Sequence, residues 1–129
     1  MRKQYSFRRT ARGFDAWDVD RLLDLAAELP VHDVALDDIG ELDEEYWFSD
    51  SAVPATVRAV VAHVRLIDEV DLAHPIILDV HGRVMDGMHR VARALLDGRT
   101  TVRAVQFVEQ PPPDFVDCQP SDLPYEEAR

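Results

Sequence analysis

Between Val80 and Leu96 the chain gathers side chains that grip anions: His89, Arg90 and Arg93 follow a break at Asp86-Gly87. Asp86 is a favoured helix N-cap, and Gly87 lets the backbone bend or approach a ligand closely. From Met88 the apolar positions fall at Met88, Val91, Ala92, Leu95 and Leu96, the stripe of a helix packed on a sheet. The other face carries His89, Arg90 and Arg93. A helix start offers free N–H groups and a partial positive charge, so two guanidinium groups and an imidazole beside it make a phosphate site. On this reading Asp86, Gly87, Met88, His89 and Arg90 surround the phosphates, and Arg93, one turn on, reaches an outer one. The competing reading is structural: Asp86 caps a core helix and the arginines are solvated.

A second concentration of chemistry lies at Gly40-Glu41-Leu42-Asp43-Glu44-Glu45, an acidic loop ending in Tyr46-Trp47-Phe48. One of Glu41, Asp43, Glu44 and Glu45 is expected to reach the anion site as a Mg2+ ligand or general base. Glu41 and Asp43 are the metal candidates; Glu41, Asp43, Glu44 and His89 are the catalytic candidates. The alternative is a solvated connection that Trp47 and Phe48 anchor to the core. His63 reads as a packing histidine, because no second His or Cys lies at metal-ligand spacing beside it.

The elements that must position these groups follow from periodicity. A helical pattern opens at Phe14 or Asp15 and runs to Leu29, where Pro30 stops it. His32 to Ile39 alternates as a first strand, and Ser51 and Pro54 mark the entry of a helix reaching about Val70. Its Val57, Val60, Val61, Val64 and Ile67 form a core-facing stripe, and Arg65 is spaced to pair with Asp68 or Glu69. Pro75 to Val80 and Arg83 to Met85 read as a hairpin turning at His81-Gly82; Gly98 ends the site helix, and Thr101 to Val108 alternates as a last strand. The order predicts a mixed α/β (α+β) domain: a compact, single-layer mixed sheet with packed helices over residues 14–110. A basic arm, 1–13, precedes it, read as a mobile terminus or an intramolecular counter-charge. A Pro-rich acidic tail, 111–129, follows, open to packing, partner binding or disorder, with mobility the default.

The 129 residues suit one domain with a real core. The single Cys118, read as an exposed bystander thiol, excludes an internal disulfide and fits a cytoplasmic location, as does the lack of an export signal or a membrane-length apolar run. Net charge is −11, yet the first twelve residues hold Arg2, Lys3, Arg8, Arg9 and Arg12 and no acid, leaving the body near −16. A body that acidic repels a nucleic-acid backbone, which argues against duplex DNA as a partner. The charged termini leave room for a protein partner, and oligomeric state stays open.

Pro75-Ile76-Ile77-Leu78, Gly82-Arg83-Val84-Met85 and Asp86-Gly87-Met88-His89-Arg90, with Ala92, Ala94 and Gly98 behind them, resemble the ParB/sulfiredoxin-like superfamily. The likeness covers roughly Val34 to Val108, over half the chain. It implies the ParB/Srx-like fold, in which a Gly-containing turn opens a helix at a phosphate site. Sulfiredoxins carry a catalytic Cys before the His-Arg pair, where this chain has Met88; a thioether is no such nucleophile, which argues against sulfinic-acid reduction. The ParB branch binds CTP through Gly-Glu-Arg-Arg, replaced here at Met88-His89. The free serine kinase branch carries Asp-Gly-His-His-Arg, which differs only at Met88. That branch implies phosphotransfer from ATP or ADP to a small hydroxy compound. Taken over the superfamily, the expectation is a nucleotide (ATP, ADP or CTP) with Mg2+ and either phosphotransfer or NTP hydrolysis. A non-catalytic nucleotide or anion sensor, or an interaction module, is the alternative.

Overall fold

The computed structural model of the protein describes residues 2–49 and 53–126. A four-stranded sheet forms its centre, built from β3 (His32–Ala35), β4 (Ile76–Leu78), β5 (Val84–Asp86) and β6 (Thr101–Gln106) in the order β3-β6-β4-β5. β6 runs parallel to β4 and antiparallel to β3, and β4 and β5 form the expected antiparallel hairpin. The class is therefore mixed α and β.

β4 reads as a continuous apolar run because both of its faces are covered. Alternation sends Ile76 and Leu78 toward Val84, Val91 and Ala94 on one side, and Ile77 toward Trp17, Leu22, Met85 and Val105 on the other. The first side belongs to α3 (Met88–Leu96), which buries Met88, Val91 and Ala94. The second belongs to α1 (Val19–Ala26), which buries Val19, Leu22 and Ala26. α2 (Val57–Glu69) lies against α3 and buries no residue fully.

The single layer expected from the sequence is corrected by a second, antiparallel sheet of β1 (Tyr5–Arg9), β2 (Phe14–Asp18) and β7 (Phe115–Cys118) in the order β1-β2-β7. The basic arm and the Pro-rich tail are its outer strands. The helix expected from Phe14 begins only at Val19, because Phe14 to Asp18 pair residue by residue with β1 and Asp18 caps the helix through Asp20 N–H. Aromatic packing and buried hydrogen bonds fix the tail. Tyr5 meets Phe115 and Tyr125 edge-on at 5.9 and 5.4 Å, and Trp17 Nε1 donates to the Pro111 carbonyl at 2.8 Å. Cys118 is half-buried rather than exposed, its Sγ 3.2 Å from the Phe14 carbonyl.

Other boundaries shift for local reasons. β3 stops at Ala35 because Leu36–Asp38 and Gly40–Asp43 coil into 3-10 turns. The expected cap at Ser51 lies outside the described residues; α2 is capped by Thr56, whose Oγ1 accepts from Ala59 N–H at 3.1 Å. Asp68 pairs not with Arg65 but with Arg93, at 3.8 Å. Leu95 and Leu96, expected in the core, are exposed because α3 turns its Met88-Val91-Ala94 face to the sheet.

One carboxylate joins the two sheets. Asp79, 1% exposed, follows β4 and accepts from His81 N–H at 2.8 Å and Arg83 N–H at 2.9 Å, closing the hairpin turn. Its other oxygen accepts from the Arg8 guanidinium of β1 at 2.6 Å. Burial pushes this carboxyl up, but the Arg83 amide, the Arg8 guanidinium and the His81 amide together hold it below the usual range. With a depressed folded pKa, its contribution to stability is present above the unfolded value and lost as pH falls through the folded one. Asp79→Asn is expected to cost about 1–3 kcal/mol in urea unfolding at neutral pH, since Arg8 then faces a neutral group. The variant is also expected to lose part of the wild type's acid sensitivity.

Candidate functional site

The start of α3 is where β5 delivers the chain out of the sheet. Asp86 ends the strand, and Gly87 takes φ 105° and ψ 25°, a left-handed conformation that side chains resist. Space imposes the same choice: a Cβ at Gly87 would lie 2.8 Å from Ile76 Cγ2 and 2.9 Å from an Arg90 guanidinium nitrogen. Gly87, not Asp86, is the N-cap residue, and no side chain caps the helix. The Asp86 carboxylate instead takes the Arg90 guanidinium at 2.8 Å. Arg90 also donates to the Pro75 and His74 carbonyls at 3.3 and 3.4 Å, which folds it back over the turn.

The turn opens into a cleft of about 680 Å³ whose walls include Arg2, Lys3, Asp86, Gly87, His89 and Arg90. Arg2 and Lys3 come from the lead-in to β1, so the basic arm supplies two cations to the site. Lys3 is tethered to Asp18 at 2.8 Å; that hydrogen bond, against burial, keeps its pKa above the usual lysine value. An adjoining lobe of about 490 Å³ shares Arg2, Lys3, Asp86 and Arg90 but continues into Leu23, Leu29, Val31 and Ile77. The cleft thus carries Arg2, Lys3 and Arg90 together with Asp71 and Asp86 at the helix start and is apolar beside α1.

His89 is held by an arrangement that no local spacing reveals. Its Nε2 lies 2.8 Å from His63 Nδ1 of α2, and both imidazoles stack on the Trp47 indole at 4.7 and 4.4 Å between centroids. The imidazole centroids are 5.1 Å apart, so the two rings lie side by side on one indole face; rings on opposite faces would be nearly twice as distant. Phe48 meets His63 edge-on at 5.4 Å. Burial lowers both histidine pKa values; His89 is further lowered by His63 and raised by Asp86. An N–H···N bond needs one donor and one acceptor, so the pair takes up one extra proton before that bond must break.

Other expected site residues are placed elsewhere. Met88 is buried in the core. Arg93 pairs with Asp97 at 3.1 Å and donates to the Asp68 carbonyl at 2.7 Å, closing the C-terminal end of α2 rather than reaching the cleft. Glu41, 2% exposed, accepts from Val84 N–H of β5. Glu44 forms a two-pronged pair with Arg83 at 2.9 and 3.2 Å; that hydrogen bond, opposed by burial, lowers its pKa. Asp43 is exposed in the second 3-10 turn. Glu41, Glu44 and Glu45 line a different cleft, with Arg8, Arg9 and Arg83. The expected meeting of a loop carboxylate with the α3 turn is not built. Trp47, at the end of that loop, makes the connection instead. Among the described residues no group of three or more His, Cys, Asp or Glu is placed to hold a metal ion; Glu41 is engaged by the Val84 amide and Asp43 is exposed.

Two outcomes follow. Glu41→Ala leaves Val84 N–H buried without its acceptor and is expected to cost about 1–3 kcal/mol in chemical unfolding, whereas Glu41→Gln keeps an acceptor oxygen and costs less. Because the folded pKa values of His63 and His89 are depressed, the unfolded chain binds more protons around pH 6. Their stabilising contribution is full above the ordinary histidine value and lost as pH falls through the folded values. The melting temperature is therefore expected to drop on acidification from neutral pH, and to drop less in His63→Gln.

Comparison of the chain with protein-family models, with curated proteins and with solved structures finds no match.

Proposed function

We propose that this protein binds a phosphorylated small molecule, a nucleotide (ATP, ADP or CTP) fitting best, in the two-lobed cleft at the start of α3. The single observation that carries the reading is the uncapped first turn behind Gly87, opening between Arg2, Lys3 and Arg90. Helix-start amides and guanidinium groups match phosphate oxygens in charge and geometry. The adjoining apolar lobe, with Leu23, Leu29 and Val31, offers a place for a flat base. Mg2+ then enters with the phosphates rather than residing on Glu41 and Asp43.

The order strand, loop, helix, hairpin, Gly-containing turn, helix, strand supports membership in the ParB/sulfiredoxin-like superfamily, which we infer together with the Asp86-Gly87-Met88-His89-Arg90 motif. A second reading adds turnover: phosphotransfer to a small hydroxy compound, or NTP hydrolysis. The observation favouring it is His89 on the cleft wall with His63 hydrogen-bonded behind it, both imidazoles' pKa values lowered by burial. A neutral imidazole pair takes a proton from an attacking hydroxyl or water and shares it across the N–H···N bond. Without turnover the same cleft serves as a nucleotide or anion sensor.

Calorimetric titration with ATP, ADP and CTP, each with and without Mg2+, tests the reading. Arg90→Gln is expected to weaken binding by at least about tenfold while the protein stays folded. Gly87→Ala is expected to weaken it as well, because the added methyl displaces the Arg90 guanidinium. Absence of binding by the wild type, or unchanged affinity in a folded Arg90→Gln, overturns the proposal. Product formation on incubation with the bound nucleotide separates the enzyme from the sensor.

A further inference from the structure

α2 is anomalous in this fold. Its thirteen residues bury nothing fully, and Val57 and Val64 are 82% and 56% exposed. The apolar surface continues onto α3, where Leu96 is 72% exposed, across a groove of about 710 Å³ between the helices. Val61, Val64, Arg65, Asp68, Leu95 and Leu96 line that groove. A solvated helix has no need of this valine content, and scattered apolar exposure does not form a continuous groove.

The charges on the outer face say what covers it. His63 points inward to Trp47 and His89. At 3.6 residues per turn, Val57, Arg58, Val61, Arg65, Asp68 and Glu69 lie on the opposite, outward side. Arg58 lies in the first turn and Asp68 and Glu69 in the last, so the charges oppose the helix dipole at both ends. Within the chain Asp68 meets Arg93 at 3.8 Å, while Arg58 and Glu69 form no ion pair among the described residues. We propose that a second copy of this chain docks on the α2 face as a twofold dimer with the two α2 helices antiparallel.

The geometry selects this arrangement. Arg58 lies five residues before His63, and Asp68 lies five after it. A twofold axis at the height of His63 therefore brings Arg58 of one copy level with the partner's Asp68 and one residue from the partner's Glu69. The same axis sets each Val61 against the stem of the partner's Arg65 and opposes the two helix dipoles. A parallel pairing would set Arg58 against the partner's Arg58 and the carboxylates against one another. Leu95 and Leu96 flank the seam and extend its apolar area. One surface is thus complementary to itself, which is the requirement of a twofold contact. The phosphate cleft is not involved, so this inference stands or falls independently of the proposed ligand.

Analytical ultracentrifugation of the full chain over a dilution series is expected to show a monomer–dimer equilibrium. Val61→Glu and Arg58→Glu are each expected to weaken association by at least about tenfold, and Arg58→Glu combined with Glu69→Arg to restore it. Arg58→Glu improves the helix dipole match, so the diluted monomer is expected to melt no lower than wild type. That readout separates a lost contact from a damaged helix. A wild type that stays monomeric throughout, a dimer insensitive to both single substitutions, or a double variant that fails to recover overturns the proposal.

Discussion

The Asp79 carboxylate is the contact on which the rest of the structure depends. It closes the β4–β5 turn through two backbone amides and, from inside the protein, receives a guanidinium carried by the opposite sheet. A buried carboxylate is costly unless all of its acceptor capacity is used, and here three donors use it. The hairpin it closes delivers Asp86 and Gly87 to the start of α3. The strand it recruits is the one whose lead-in places Arg2 and Lys3 in the cleft. A single buried anion thus couples the backbone of the candidate site to its outlying cations.

The site itself is assembled from both ends and the middle of the chain. Gly87 is enforced by a left-handed backbone and by Ile76 beneath it, so the first turn of α3 keeps an open face. Arg90 is held over that face by Asp86 and by two carbonyls, a preorganised guanidinium rather than a mobile one. Trp47 converts a surface loop into a platform for two imidazoles and joins the acidic loop, α2 and α3. The acidic residues of that loop brace the framework: Glu41 holds β5 and Glu44 holds Arg83, while Trp47 at its end faces the two imidazoles.

α2 shows a different economy. Its inward side supplies His63, and its outward side keeps exposed valines and charges that oppose the helix dipole. The inward side is joined to α3 through the packed ring stack, and the outward side is left exposed. Arg93 reinforces this by tying the end of α2 to α3 through its carbonyls.

Local chemistry alone determined several features: the β4–β5 hairpin, the glycine break before α3, the stop at Gly98 and the apolar strand within Pro75 to Leu78. Each is governed by residues within a few positions of one another, where backbone preference and alternation decide. Phe14 to Asp18 shows where that logic ends, because its apolar spacing suits a helix as well as a strand, and only pairing with Tyr5 to Arg9 settles it. The termini, polar and Pro-rich, carry no local signal for a sheet; their order comes from distant partners such as Trp17 and Asp79. His63 and His89 are twenty-six residues apart and Trp47 sixteen further back, so their meeting exists only once α2 lies on α3. The fate of Glu41 was decided in the same way: sequence supplied a carboxylate, and the position of the Val84 amide decided what it would hold.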